Sequence, residues 1–215
     1  MRKPDLLIIN GRSSLSRMAE TPLVYRVAYK ISGKGIYRPL VKLVRELGPF
    51  EIGVDIGSGY GIAAELIADH FERLYLIDLD QGMAKSAKKR LKDRSNVEVI
   101  VTDAKYIPLQ DSFADFVYFF DSLHHIPKPQ KALLEAIRII KSHGKLAVFD
   151  LDGCHVFAKF ISFLERASGI HSRPLGSNVI CNLLGENNLV IIRSEVDFFG
   201  MFDVLAVKEY HVRQI

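Results

Sequence analysis

Four short stretches of this 215-residue chain carry side chains and glycines that could act on one ligand. The first is Val54-Asp55-Ile56-Gly57-Ser58-Gly59-Tyr60-Gly61, an apolar run that enters three glycines at alternate positions. Such glycines let backbone amides approach a ligand closely and adopt φ values that other residues resist. The second is Asp78, about twenty residues on, where a carboxylate can accept hydrogen bonds from both hydroxyls of a ribose. The third is Asp103, which closes Val97-Glu98-Val99-Ile100-Val101-Thr102. It can accept from an adenine amino group while a backbone amide meets a ring nitrogen. The fourth is Asp121-Ser122-Leu123-His124-His125, which offers a carboxylate and two imidazoles. An unperturbed imidazole titrates near neutrality and suits a general base, so His124 and His125 are the candidate catalytic residues.

The spacing of the glycines narrows the ligand. A nicotinamide dinucleotide favours G-x-G-x-x-G, whose amides hold a pyrophosphate at a helix N-terminus. Here the spacing is G-x-G-x-G, and Asp55 just before it would repel a phosphate. A carboxylate there suits an ammonium group. S-adenosylmethionine combines adenosine, a sulfonium and a zwitterionic amino acid without any phosphate.

These residues need a scaffold that brings strand ends together. From about residue 50 the pattern alternates strand and helix, which predicts an α/β fold. Strands are expected at Phe50–Ile56, Arg73–Asp78, Val97–Thr102, Phe116–Phe120, Lys145–Leu151, Leu189–Val196 and Met201–Lys208. Helices are expected at Gly61–His70, Met83–Arg94, Gln130–Lys141 and His155–Ser168, and before the first strand at Thr21–Ser32 and Tyr37–Leu47. Short β-branched strands separated by helices predict a Rossmann-like, doubly wound, mostly parallel sheet. Only Asp197 to Gly200 separates the last two strands, too few residues for a crossover, so they must form an antiparallel hairpin. The pattern predicts an N-terminal helical cap, residues 1–48, and a ligand-binding domain, residues 49–215.

At this point the chain resembles the class I S-adenosylmethionine-dependent methyltransferases, and most of all the branch with ubiquinone/menaquinone-biosynthesis-type enzymes. The resemblance rests on Val54–Gly61, Leu76-Ile77-Asp78-Leu79-Asp80, Thr102-Asp103-Ala104 with Ile107-Pro108-Leu109, Phe113–Val117, Leu123-His124-His125-Ile126 and Glu135–Gly144. It covers roughly residues 50 to 150. One departure is Lys141-Ser142-His143-Gly144, where the family usually has a Pro-Gly-Gly-type turn. The resemblance implies a seven-stranded sheet, S-adenosylmethionine as cofactor and S-adenosylhomocysteine as product. It further implies that Asp55, Gly57, Ser58, Gly59 and Gly61 hold the methionine part and Asp78 the ribose. Leu79 would pack on adenine, Asp103 and Ala104 would fix its edge, and Asp121 would border the methionine. The sulfonium is already activated, so positioning, exclusion of water and at most one base complete the chemistry.

Asp121 and Asp150 end adjacent strands and invite Mg2+, but neighbours in Asp150-Leu151-Asp152 point to opposite faces, so no metal is expected. Cys154 lacks the flanking residues of a covalent base methyltransferase, and the fourth strand end lacks an Asn/Asp-Pro-Pro-Tyr pattern. Lys85, Lys88, Lys89, Arg90, Lys92 and Arg94 spread over more than one side of a helix without interleaved aromatics, which fits a solvated face. Tyr25, Tyr29 and Tyr37, with Arg26 and Arg38, either face the sulfonium or staple the cap. The composition, 48% hydrophobic and 25% charged with net charge +4, is that of an ordinary globular chain and implies no nucleic acid partner. Two cysteines make no disulfide scaffold, and no run is long enough to span a bilayer, so a cytoplasmic chain is expected, with a homodimer allowed. The expected activity is methylation of an O, N or C nucleophile of a small molecule. The alternatives are an enzyme acting on RNA or protein and a donor-binding regulatory protein without turnover.

Overall fold

The computed structural model describes residues 33–209. Seven strands, β1 (Phe50–Ile56), β2 (Phe71–Asp78), β3 (Val97–Val101), β4 (Ala114–Phe120), β5 (Ile140–Leu151), β6 (Leu189–Val196) and β7 (Met201–Lys208), form one sheet. Their order is β3-β2-β1-β4-β5-β7-β6. The first five strands in sequence pair in parallel, and β7 runs antiparallel between β5 and β6. The order reverses between β1 and β4, and their C-terminal ends open the crevice where such sheets take ligands.

Alternation along the strands divides the core in two. On one face Leu74, Leu76, Phe116, Tyr118, Ala147 and Phe149 meet α1 (Arg38–Leu47), α2 (Ile62–Ile67) and α3 (Gln81–Arg90). On the other, Val54, Ile56, Val117, Phe119 and Val148 meet α4 (Pro129–Ile139) and α6 (Ser177–Glu186). Leu40, Val44, Ile67, Leu133 and Leu184 are fully buried, and each such side chain contributes about 1.5–3 kcal/mol. Helix α5 (Val156–Ala167) inverts the usual rule. It buries Ala158, Ser162 and Glu165 while exposing Phe157, Phe160 and Phe163.

The parallel sheet and the terminal hairpin match the expectation. The hairpin turn is closed by Asp197, whose side chain accepts from the amides of Phe199 and Met201, at 2.8 and 2.9 Å. Differences lie elsewhere. Lys141–Gly144, the atypical turn, is drawn into a longer β5, with His143 at φ 63°. Helix α6 has no counterpart in the sequence reading, because Asn178, Cys181, Asn182 and Gly185 dilute its pattern. Of the expected cap, only residues 33–48 are described: a 3-10 turn, Gly33–Tyr37, and α1, which packs directly on the sheet. Tyr37 stacks on Phe120 with ring centroids 4.8 Å apart. The expected helix Thr21–Ser32, with Tyr25, Arg26 and Tyr29, lies outside the described residues. Among the described residues no helix is long and apolar enough to cross a membrane.

Candidate functional site

Beyond Ile56 the chain turns through Gly57 (φ 78°), Gly59 (φ 54°) and Gly61 (φ 71°) before entering α2. The amides of Gly57 and Ser58 donate to the Ile77 carbonyl at 2.8 and 3.0 Å, tying the turn to β2. The glycines answer to different constraints. A Cβ on Gly57 would lie 2.6 Å from the Cβ of Ser122, whereas one on Gly59 would meet nothing within 4 Å. Gly57 is therefore demanded by the end of β4. Gly59 is demanded only by its backbone angle and borders open space.

Asp55 sits under this turn and is 1% exposed. Its Oδ2 has no hydrogen-bond partner, and neither has the buried hydroxyl of Ser58. Tyr118 stands opposite Asp55 in the β1–β4 register, yet its hydroxyl also lacks a well-formed bond. Burial pushes the Asp55 carboxyl up to about 7; the Tyr118 hydroxyl draws it down and the Asp78 carboxylate adds to the rise. A buried carboxyl without a cation is an incomplete arrangement, and a ligand ammonium would complete it.

Asp78 ends β2 and accepts from the amide of Gly59 at 2.7 Å and from that of Asp80 at 2.8 Å. Burial raises its pKa, and those two amides hold the rise back. Next to it, Leu79 is 65% exposed on the open side, while Asp80 caps α3 by accepting from Gly82 and Met83. One strand further out, Asp103 accepts from the Lys105 amide and pairs with the Lys105 ammonium, both at 3.0 Å, beside buried Ala104. Asp121 takes φ 51° just after β4, and its amide donates to the Phe149 carbonyl at 2.8 Å. The structure thus lines Asp55, Asp78, Asp103 and Asp121 along the C-terminal edge of β1, β2, β3 and β4. The unpartnered Asp55 Oδ2 and Ser58 hydroxyl, the exposed face of Leu79 and the open side of Gly59 fit an adenosine-linked amino acid.

The histidines lie deeper. His124 is 1% exposed; its amide donates to Asp150 at 3.0 Å and its Nδ1 bonds the same carboxylate. Asp150 also accepts from the Leu151 amide at 2.7 Å. The other ring nitrogen, Nε2, lies 3.7 Å from Glu165 on α5. His125 keeps a third of its side chain exposed, bonds the His171 carbonyl through Nδ1 at 2.7 Å and turns Nε2 to within 4.0 Å of Glu165. Burial alone would depress the His124 pKa, but Asp150, helped by Glu165 and Asp121, lifts it well above the usual imidazole value. Burial would raise Glu165, and His124 instead holds it below the ordinary carboxylate range.

Sequence reasoning missed Tyr118 and Glu165. Tyr118 was recoverable from strand register. Glu165 was recoverable from the period of Ala158, Ser162 and Glu165, a small-and-polar stripe opposite the phenylalanines of α5. The segment Gly169–Pro174 lies between α5 and α6. It covers the histidines: the Arg173 amide donates to the His124 carbonyl at 2.9 Å, and buried Ser172 bonds Ser162 at 2.9 Å. The basic run on α3 is solvated, with Arg90 bonding Glu65 and the Tyr60 carbonyl.

Comparison with known proteins adds a family. A family profile described as a methyltransferase domain matches residues 54–148. The ubiquinone/menaquinone biosynthesis C-methyltransferase of Rickettsia prowazekii is 31% identical over 176 residues, covering 75% of this chain and 70% of the relative. Phosphoethanolamine N-methyltransferase 2 of Caenorhabditis elegans is 32% identical over 120 residues, covering 53% of this chain and 28% of the relative. The chain spans half the length or less of most curated relatives it matches. Among solved structures, the YcgJ protein of Bacillus subtilis superposes with a TM-score of 0.68 at 16% identity, over 82% of this chain and 99% of that one. That likeness extends to the fold.

Proposed function

The chain belongs to the class I S-adenosylmethionine-dependent methyltransferase family, and from that membership we propose that it methylates an O, N or C atom of a small molecule with an apolar body. The observation that carries the donor half is the Asp55–Gly61 turn, with a buried carboxyl oxygen and the Ser58 hydroxyl both unpartnered beside an open glycine. When bound, S-adenosylmethionine supplies a methyl group activated by a positive sulfonium. Asp55 accepts from the ammonium of its methionine part, and the Gly57–Gly61 backbone keeps that approach open. Asp78 accepts from the ribose hydroxyls, Leu79 covers one face of adenine, and Asp103 with the Ala104 amide reads its edge. Asp121 borders the methionine end. The protein's work is then orientation and exclusion of water.

The acceptor half rests on an apolar hollow at the same sheet edge. Val156, Phe157, Phe160, Phe198 and Phe199 line a surface depression of about 560 Å³. It lies at the C-terminal end of β5, because Met201 pairs with Leu151 and the Asp152 amide donates to the Gly200 carbonyl at 2.7 Å. Phe198 is 87% exposed and Phe199 58%, an unusual use of aromatic surface unless something covers it. The relatives' names leave the atom open: a ubiquinone/menaquinone biosynthesis C-methyltransferase and a phosphoethanolamine N-methyltransferase support a small acceptor, and a malonyl-[acyl-carrier protein] O-methyltransferase names one carried on a protein.

The test is transfer of a radiolabelled methyl group from S-adenosylmethionine to a panel of phenols, amines and quinols of graded apolar size. Label in an apolar acceptor, lost in a Phe198→Ser, Phe199→Ser double variant, is the expected result. Label in RNA or protein alone would contradict the small-molecule reading. Donor binding with no labelled product from any acceptor would favour a regulatory protein.

A further inference from the structure

We propose that His124, His125 and Glu165 form a binding site for one divalent transition-metal ion of the zinc type. The two imidazoles lie side by side, with ring centroids 3.8 Å apart and planes tilted by 48°. In each, Nδ1 is already committed: to the Asp150 carboxylate in His124 and to the His171 carbonyl in His125. An acceptor at Nδ1 fixes the proton there and leaves the Nε2 lone pair free, which is the arrangement of metal-bound histidines and their supporting carboxylate or carbonyl. Both Nε2 atoms face Glu165, at 3.7 and 4.0 Å. The Nε2 of His124 and the Oε2 of Glu165 have no hydrogen-bond partner although both groups are buried.

The distances are short of coordination by little. Nitrogen and carboxylate atoms of the three residues lie within 4.8 Å of one another, and a tetrahedral zinc with ligand bonds of about 2.0–2.1 Å separates its ligands by roughly 3.3 Å. Closing that gap takes small side-chain rotations of Glu165 and of the partly exposed His125. Charge argues the same way. Asp150 and Glu165 place two carboxylates in the interior beside His124, which they hold protonated when no metal is present; a divalent cation replaces that proton and balances them. Two nitrogens and one carboxylate suit zinc over the hard, oxygen-seeking Ca2+ or Mg2+. The exposed third of His125 gives the ion an entry path and leaves a fourth position for water.

This assignment gives the histidine pair a task different from the base expected from sequence, since one Nε2 cannot hold a metal and accept a proton together. Its three ligands are not donor-site side chains, although Asp121, at the methionine end, lies beside His124 and Asp150. The experiment uses protein without a polyhistidine tag, stripped by a chelator and titrated near neutral pH with Zn2+ by calorimetry and with Co2+ by visible absorption. One ion per chain and cobalt ligand-field bands are expected. His125→Ala and Glu165→Gln should each weaken Zn2+ binding about 100-fold, and Asp150→Asn about tenfold to 100-fold. His125→Ala changes a partly exposed residue, so folding of that variant, read by circular dichroism, keeps the test sound should the others unfold. Failure of the wild type to bind either ion would overturn the site, as would binding unchanged in His125→Ala and Glu165→Gln. Titration of the same stripped protein with S-adenosylhomocysteine reads the donor site separately.

Discussion

Two buried acidic regions, one at the end of β1 and the other at the end of β5, solve the same electrostatic problem in opposite ways. Asp150 is surrounded: two backbone amides and an imidazole satisfy its oxygens, and the 169–174 segment covers its histidine. Asp55 is as deeply buried and has no cation beside it, so its carboxyl is pushed up to about 7. A buried carboxylate that brings its own partners serves the interior. One that lacks them, beside a glycine with no neighbour within 4 Å, is arranged for a partner arriving from outside.

The largest effect that probes this contrast belongs to the enclosed side. Asp150→Ala strands an imidazole and two amides, and urea denaturation should show a loss of about 3–5 kcal/mol. Asp55→Asn removes no ion pair and no longer asks the interior to hold an ionisable carboxyl, so donor-free stability at neutral pH should be unchanged or higher, while S-adenosylmethionine binding weakens by about 2–4 kcal/mol. If Asp55→Asn instead destabilised the protein as much as Asp150→Ala, the two regions would not differ in kind. Asp78→Ala is intermediate: calorimetry should show donor binding weaker by about 1–3 kcal/mol through lost charge-assisted bonds.

Acidity sharpens the comparison further. The Asp55 carboxyl keeps its proton to about pH 7 in the folded chain, against 3.8 for an ordinary aspartate. Folding therefore takes up a proton between those values, so this group's contribution to donor-free stability falls as pH rises from 3.8 toward 7. An ammonium prefers the ionised carboxylate, so donor affinity should rise about tenfold per pH unit below pH 7, level off there, and fall again above about pH 8 as the free ligand's α-amino group loses its proton. Calorimetry across that range checks the slope, and Asp55→Asn should flatten it. The smallest effect is at the surface. Phe198→Ser should change stability by no more than about 0.5 kcal/mol, read as a shift in the urea midpoint.

Much of this arrangement was legible in the chain. The strand–turn–helix at Phe50–Gly61 and the acidic ends at Asp78 and Asp103 are local patterns, and local patterns carry glycine spacing and strand period directly. The hairpin was legible because four residues cannot make a crossover. What was not legible depends on contacts across the sheet. Tyr118 faces Asp55 only once β1 and β4 pair, and Glu165 meets the histidines only once α5 turns its small, polar stripe inward. Helix α6 stayed hidden for a different reason. Its interior holds residues of weak helix propensity, and its stability comes from packing Ile180 and Leu184 on the core.

The most direct measurement is calorimetric titration of the wild-type chain and Asp55→Asn with S-adenosylmethionine, using NAD as the comparison ligand. Selective binding of S-adenosylmethionine by the wild type, weakened about 30-fold or more in a folded Asp55→Asn variant, is the predicted result. Selective binding of NAD, or S-adenosylmethionine affinity unchanged by the substitution, would contradict the assignment of the Asp55–Gly61 turn as the donor cradle.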